Sequence, residues 1–306
     1  MVAVKLGLVG IGKIARDQHL PAIASDARFD LAATASRHGQ VDGVPAYNDI
    51  AAMTADISLD AVSLCTPPDG RFEQAYAAIE ARLHVMLEKP PAATLTHIDM
   101  LIRAANNAGV TLFAAWHSRE AAGVAPAKIW LADKRIDAVR IEWREDIRLW
   151  HPGQEWILEA GGFGVFDPGI NALSIATEIL PDDLVLERGL MSIPVGRSSP
   201  LAASLSMRCG AVPVRAEFDF LQAGEQIWSI EVDTNAGMLA LNDGGAVLRL
   251  PDGTEHRGAN NEYARLYDHF ADLIAARQSD VDIRPMRLVA DAFLSCRRMS
   301  TPPFSF

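Results

Sequence analysis

The stretch that most restricts what this chain can fold into is its start. Val2-Ala3-Val4-Lys5-Leu6-Gly7-Leu8-Val9 is an apolar run of strand length that leads directly into Gly10-Ile11-Gly12-Lys13-Ile14-Ala15 and then a helix-compatible segment. A strand, a G-x-G-x-x-A turn and a helix in that order open a parallel, doubly wound sheet. Gly10 permits the tight turn out of the strand. Gly12 lets the backbone approach a phosphate with no Cβ in the way, and Ala15 lets the helix lie close on the sheet. The helix N-terminus adds free N–H groups and a positive dipole end, so the turn from Gly10 to Ile14, with Ile11 and Lys13, is expected to cradle a dinucleotide pyrophosphate. An ordinary glycine-rich turn has the same letters; the strand before it and the helix after it favour the nucleotide.

Up to about residue 117, short apolar runs alternate with helical segments. The strand candidates are Val4–Val9, Leu31–Ala35, Ala61–Leu64, His84–Leu87 and Thr111–Ala114, with helical spacing at Arg71–Ala81 and Thr96–Asn107. Continuous apolar strands separated by helices imply a parallel sheet covered on both faces. After a connecting helix at Ala121–Lys134 the character changes. Ile136–Asp146 reads as a strand, Gly161–Leu180 as a glycine-rich loop opening a helix, and Leu184–Leu250 as repeated β runs with turn signals at Asp243-Gly244-Gly245 and Pro251-Asp252-Gly253. The expected class is α/β. An N-terminal Rossmann domain at residues 1–120 precedes an α+β domain at 121–284 with a large, open, mostly antiparallel sheet. Two helical patterns end the chain, Glu262–Arg277 and Arg287–Met299, and the last helix, about 285–300, is expected to pack back near the first domain.

Composition limits the partners. With a net charge of −11, nucleic acid and anionic membrane are poor partners on electrostatic grounds. Three cysteines, Cys65, Cys209 and Cys296, stand in no CxxC or metal-ligand spacing, and so sparse a set suits a reducing compartment. No His/Cys/carboxylate cluster suggests a metal. Residues 1–20 lack a signal peptide's hydrophobic core, and no stretch reaches transmembrane length, so a cytoplasmic location is expected.

Four other segments carry chemistry. Ala35-Ser36-Arg37-His38 ends the second strand, where an NAD site usually places a carboxylate for the ribose 2′-hydroxyl. A hydroxyl beside a guanidinium suits a 2′-phosphate instead, so NADP is expected to be preferred and NAD tolerated, with Ser36, Arg37 and His38 at that end of the cofactor. Cys65-Thr66-Pro67, after the strand Ala61–Leu64, is a further cofactor-lining candidate, although Cys65 alone reads as a small buried hydrophobe. Glu88-Lys89-Pro90 follows the strand His84–Leu87 at the ligand-facing end of the sheet, where Glu88 and Lys89 are expected to line the cofactor. A lysine there can hydrogen-bond a substrate hydroxyl and, when neutral, take its proton; a Lys-Pro pair taken alone is an ordinary loop. In Gly161-Gly162-Phe163-Gly164-Val165-Phe166-Asp167-Pro168-Gly169-Ile170-Asn171, Asp167 and Asn171 are one helical turn apart and share a face. A carboxylate and an amide so placed can grip adjacent hydroxyls, and Asp167 also suits an N-terminal cap with Pro168 at the first helical position.

Together these motifs resemble the glucose–fructose oxidoreductase/inositol dehydrogenase/MocA family over essentially the full length: a dinucleotide turn, Glu-Lys-Pro after the fifth strand, then GG-x-x-x-D-x-G-x-H at the head of a second-domain helix. The family's terminal histidine is Asn171 here, and an amide cannot exchange a proton near neutral pH, so acid–base work falls to Lys89 with Asp167 as partner. Within the family the chain is similar to the branch of bacterial L-arabinose/D-galactose 1-dehydrogenases. That likeness rests on Gly10 to Pro21, Ala35-Ser36-Arg37-His38, Trp116-His117-Ser118-Arg119, Trp150-His151-Pro152-Gly153-Gln154 and Phe166 to Asn171. The resemblance implies hydride transfer from the anomeric carbon of an aldose to NADP or NAD, giving an aldonolactone. It places Glu145, Trp150 and His151 near the sugar, with Trp228 a weaker candidate for its wall, and it implies a homodimer. His117 suits either the crevice or a hydrogen-bonded core position. Two other readings stay open: a dehydrogenase of another sugar or cyclitol, and an NADP-binding redox sensor without turnover.

Overall fold

The alternation of apolar runs and helices builds a doubly wound layer. In the computed structural model, which describes residues 3–306 and leaves Met1 and the first residue of the apolar run, Val2, outside, β1 (Val4–Val9) is followed by α1 (Leu20–Ser25) and β2 (Phe29–Ala35). The order continues with β3 (Ala46–Tyr47), α2 (Ile50–Asp56), β4 (Ala61–Leu64), α3 (Arg71–Glu80), β5 (His84–Glu88), α4 (Leu95–Ala108) and β6 (Leu112–Ala115). The strands pair in parallel in the order β3-β2-β1-β4-β5-β6. Every residue of β4 and β6 is buried, as a sheet covered on both faces requires. The strand order reverses between β1 and β4, and the carboxyl ends of those strands, at Gly10 and Cys65, therefore mark where a ligand crevice opens. The two-residue β3 gave too short an apolar run to be seen in the sequence. Gly109, left-handed at φ +68°, ends α4 as Asn107-Ala108-Gly109 suggested.

The helix expected after the glycine turn begins as a π-helical stretch, Ala15–His19, and becomes α-helical at Leu20. Pro21 has no N–H to return to Asp17, which removes one α-type bond at the junction.

The second unit starts at Ser118. It holds α5 (Val124–Leu131), β7 (Ile136–Arg144), α6 (Ile147–Trp150), α7 (Phe166–Ile179), β8 (Leu184–Pro194), β9 (Ala202–Cys209) and β10 (Val212–Asp219). β11 (Ile227–Thr234), β12 (Gly237–Asn242), β13 (Val247–Arg249) and β14 (Glu255–Arg257) follow. The chain then runs through α8 (Glu262–Ala276), α9 (Arg284–Ser295) and β15 (Arg297–Thr301). The nine-stranded sheet has the order β14-β13-β12-β11-β7-β10-β9-β8-β15; it is antiparallel except for the pairs β10/β7 and β15/β8. Alternating burial along β9 and β10 shows one face packed and one open.

Two expectations are corrected. The segment that returns to the first unit is Tyr263–Ile283, and Arg284–Phe306 belongs to the second. The apolar stripe of α8, with Tyr263, Tyr267 and Phe270, joins the cluster of Leu6, Leu8 and Phe29 under the parallel sheet. α9 instead packs on α7 and β8, with Phe293 against Phe166. Residues 297–299, expected at the end of the last helix, instead belong to β15, which extends the second sheet beside β8.

Candidate active site

At the mouth of the parallel sheet the glycines divide their duties. Gly10 has φ +88°, and a Cβ on it would lie 2.8 Å from Thr66 Cγ2 and 2.9 Å from the Thr66 nitrogen, so the turn itself demands glycine. A Cβ on Gly12 would meet no protein atom within 4 Å. Nothing in the fold asks for glycine there, and the open space beside it would admit a phosphate. Lys13 and Ile14 are exposed, with Lys13 paired to Asp17, while Ile11 is buried in the core and offers a ligand only its backbone. Ser36 and the exposed Arg37 and His38 follow β2, and the chain then folds back over the turn: a Cβ on Gly39 would sit 2.5 Å from the Ile11 carbonyl oxygen. Arg16 fastens this loop by donating to the Gln40 carbonyl at 3.0 Å. Thr66 donates to Gln74 Oε1 at 2.7 Å; Cys65 and Thr66 are half-buried and Pro67 exposed. These residues fit a dinucleotide, and Ser36 and Arg37 would meet its adenosine ribose.

Lys89 leaves the end of β5, half-buried. Its neighbour Glu88 is 4% exposed and accepts from Tyr263 Oη at 2.6 Å, His19 Nε2 at 3.0 Å and the Lys89 N–H at 2.9 Å. Burial alone would raise the Glu88 pKa, but the hydrogen bond and charge of His19, with His117 and Tyr263, hold it down at about 2. Burial opposes charge on His19, yet Cys65, Tyr267 and Glu88 raise its pKa well above the ordinary imidazole value. The two therefore form a buried ion pair. Arg71 donates to the carbonyls of Thr66, Glu88 and Pro90, binding the ends of β4 and β5 together. His117 stacks on Tyr263 at 5.5 Å with an interplanar angle of 19°, in the same unit as Lys89.

In the second unit the glycine-rich loop is shaped by contact. A Cβ on Gly162 or Gly164 would lie 2.3 Å from the carbonyl oxygens of Ile157 and Pro200 respectively. Ser199 Oγ donates to the Gly162 carbonyl at 2.8 Å. The loop delivers the chain into α7, whose cap is Val165, so Asp167 lies in the first turn rather than at the cap and Pro168 one position further in. Gly169 lets α7 lie close on the sheet, since a Cβ there would be 2.9 Å from Phe218 Cδ1. Asp167 is 6% exposed and Asn171, one turn on, is half-buried. A carboxylate acceptor and an amide that both donates and accepts are thus displayed on one face.

Glu145, just past β7 and 4% exposed, already accepts from Trp228 Nε1 at 2.9 Å and His151 Nε2 at 3.2 Å. Its first duty is to hold those two rings. Trp150, 48% exposed, stands edge-on to Trp228 at 5.1 Å, and together they offer an apolar corner beside polar groups. Among the described residues no group of three or more His, Cys, Asp or Glu side chains could hold a metal ion, and no helix is long and apolar enough to cross a membrane.

Sequence reasoning missed His19, Arg71, Tyr263 and Gly39. Arg71 left a signal: a cation in the first turn of a helix is unfavourable unless its charge is used elsewhere. His19 and Tyr263 left none, because they lie 69 and 175 residues away from Glu88, the partner they share.

A six-stranded parallel Rossmann sheet opening on a glycine turn, with a second α+β unit after it, is the architecture of a class of NAD-binding oxidoreductases. Residues 4–116 match the family described as "Oxidoreductase family, NAD-binding Rossmann fold". The chain is 42% identical over 307 residues to galactose 1-dehydrogenase of Pseudomonas fluorescens, covering 99% of each. The crystal structure of the D-galactose-1-dehydrogenase protein from Rhizobium etli matches with a TM-score of 0.96 at 50% identity, covering 100% of this chain and 99% of that one. A 3-ketoreductase from Actinomadura kijaniata shares the fold alone, at a TM-score of 0.86 and 18% identity, covering 98% of this chain and 100% of its own. The chain belongs to the glucose–fructose oxidoreductase/inositol dehydrogenase/MocA family, and it is an oxidoreductase.

Proposed function

We propose that this protein is an NAD(P)-dependent aldose 1-dehydrogenase that oxidises the anomeric carbon of D-galactose and L-arabinose to the aldonolactone. The carrying observation is the end-to-end likeness to galactose 1-dehydrogenase, in a chain that keeps Lys89 after β5 and Asp167 with Asn171 at the head of α7. Bound nicotinamide nucleotide supplies the hydride acceptor. In this reading Lys89, neutral when it acts, takes the proton of the C1 hydroxyl. Asp167 and Asn171 fix neighbouring hydroxyls, since an amide at 171 can hold a hydroxyl but cannot move a proton near neutral pH. Trp150 and Trp228 supply the face for sugar C–H groups, with Glu145 and His151 fixing the corner. Ser36 and Arg37 make NADP the preferred nucleotide, with NAD accepted. The two sugars share their configuration from C1 to C4, and a single exocyclic CH₂OH separates them, a discrimination of about 1–3 kcal/mol. A cytoplasmic location fits the unpaired Cys65, Cys209 and Cys296, and a homodimer belongs to the same proposal, checked by sedimentation.

A dehydrogenase of another sugar or cyclitol would share all these parts; a redox sensor without turnover would need only the nucleotide turn. Lys89→Ala tests the mechanism. It is expected to lower kcat by roughly 10²–10⁴, the scale of general-base catalysis, with NADP binding nearly unchanged. Near wild-type kcat across pH 6–9 would move the base to Asp167 or His151.

A further inference from the structure

Both carboxylate oxygens of Glu88 are engaged in the interior. Oε1 accepts from Tyr263 and His19, and Oε2 accepts from the backbone N–H of Lys89. That N–H is the first beyond the ladder, because the pairing of β5 with β6 ends at Glu88 and Ala115. The clamp extends inward: His19 is 1% exposed, its Nδ1 lies 2.8 Å from the Tyr267 hydroxyl, and that hydroxyl lies 3.0 Å from Ser63 Oγ. The Glu88 carbonyl is held in turn by Arg71. An apolar residue would stabilise this spot at least as well as a buried ion pair, so the carboxylate is better explained by three donors that need one acceptor. Glu88 is 4% exposed with both oxygens engaged, which ill suits a nucleotide contact.

We propose that Glu88, clamped by His19 and Tyr263, is a positioning residue for Lys89: it fixes the peptide at which the chain leaves β5 and so the path of the lysine side chain. The inference rests on the reading of Lys89 as the proton acceptor. A displacement of about 1 Å in such a group can cost 10²-fold in rate, which gives a remote clamp leverage on kcat.

The test is a cycle of Tyr263→Phe and His19→Gln, each alone and combined with Lys89→Ala. It is read as kcat, sugar KM and NADP dissociation constant well below the melting temperature. Tyr263→Phe removes one hydroxyl and is expected to lower kcat roughly 3–10-fold, the worth of one hydrogen bond, with KM and NADP affinity within about twofold. In the Lys89→Ala background it is expected to cost nothing further, because a misplaced methyl carries no chemistry. His19→Gln keeps a donor to Glu88 and should retain more activity than His19→Ala, an arm that stands if Tyr263→Phe does not fold. Equal losses in both backgrounds, a loss confined to NADP affinity, or Gln no better than Ala at position 19 would overturn the proposal. Wild-type kcat in Lys89→Ala alone would instead overturn the assignment of the base.

Discussion

In the proposed reading Arg37, exposed two residues beyond the end of β2 and next to Ser36 rather than a carboxylate, carries the cofactor preference. Arg37→Ala is expected to weaken NADP by about 1.5–3 kcal/mol and NAD far less, measured by titration of each nucleotide. Equal weakening would reject a 2′-phosphate contact. The pair Glu88–His19 gives a second expectation, this one in pH. The folded Glu88 pKa, about 2, lies below its ordinary 4.5, so its stabilisation is present above pH 4.5 and is lost as pH falls towards 2. The folded His19 pKa lies above its ordinary 6.5, so its share is full below that value and is lost as pH rises through the raised one. The gap in melting temperature between the wild type and Glu88→Gln should be widest from pH 4.5 to 6.5 and should close on acidification. A gap independent of pH would show that Glu88 is not a stabilised carboxylate. At this scale the sequence announced positions that are set locally: Lys89 just after its strand, and Asp167 and Asn171 one turn apart on a helix. It could not announce the buried pair, because nothing near Glu88 in the chain says that His19 and Tyr263 will meet it.

At the scale of elements, the glycine turn can be taken apart. Gly10→Ala is expected to destabilise by about 1–3 kcal/mol, since it adds a Cβ at φ +88° against Thr66. Gly12→Ala should leave the melting temperature unchanged and weaken nucleotide binding. Loss of stability in both, or of binding in neither, would contradict the division of duties. Gly169→Ala should cost about 1–3 kcal/mol by pushing α7 off Phe218, without a change in nucleotide binding. β1 and β4 were legible to the residue and β5 and β6 within one, because strands covered on both faces are continuously apolar. The end of the chain was not. α8 and α9 are both amphipathic, and an apolar stripe does not name the sheet it will cover; β15, an edge strand of polar character, reads as a continuation of the helix before it.

At the scale of the whole molecule, the first unit is closed by a helix 147 residues downstream of β6, counted from Ala115 to Glu262, so the first unit is complete only after Ser118–Glu262 of the second has been traversed, and the second only after the chain leaves the first again at Arg284. The two-unit organisation was visible as a change from βα alternation to repeated β runs; the interleaving of the ends was not, since it depends on which core α8 completes. The proposed reaction of the whole molecule is oxidation of an aldose at C1. Its most direct test is the rise in absorbance at 340 nm when the purified protein is given NADP or NAD with D-galactose, L-arabinose, D-glucose or myo-inositol, with the product trapped as the lactone. Turnover with D-galactose and L-arabinose, faster at low nucleotide with NADP than with NAD, is expected. Turnover confined to myo-inositol, or none with any sugar while NADP still binds, would contradict it.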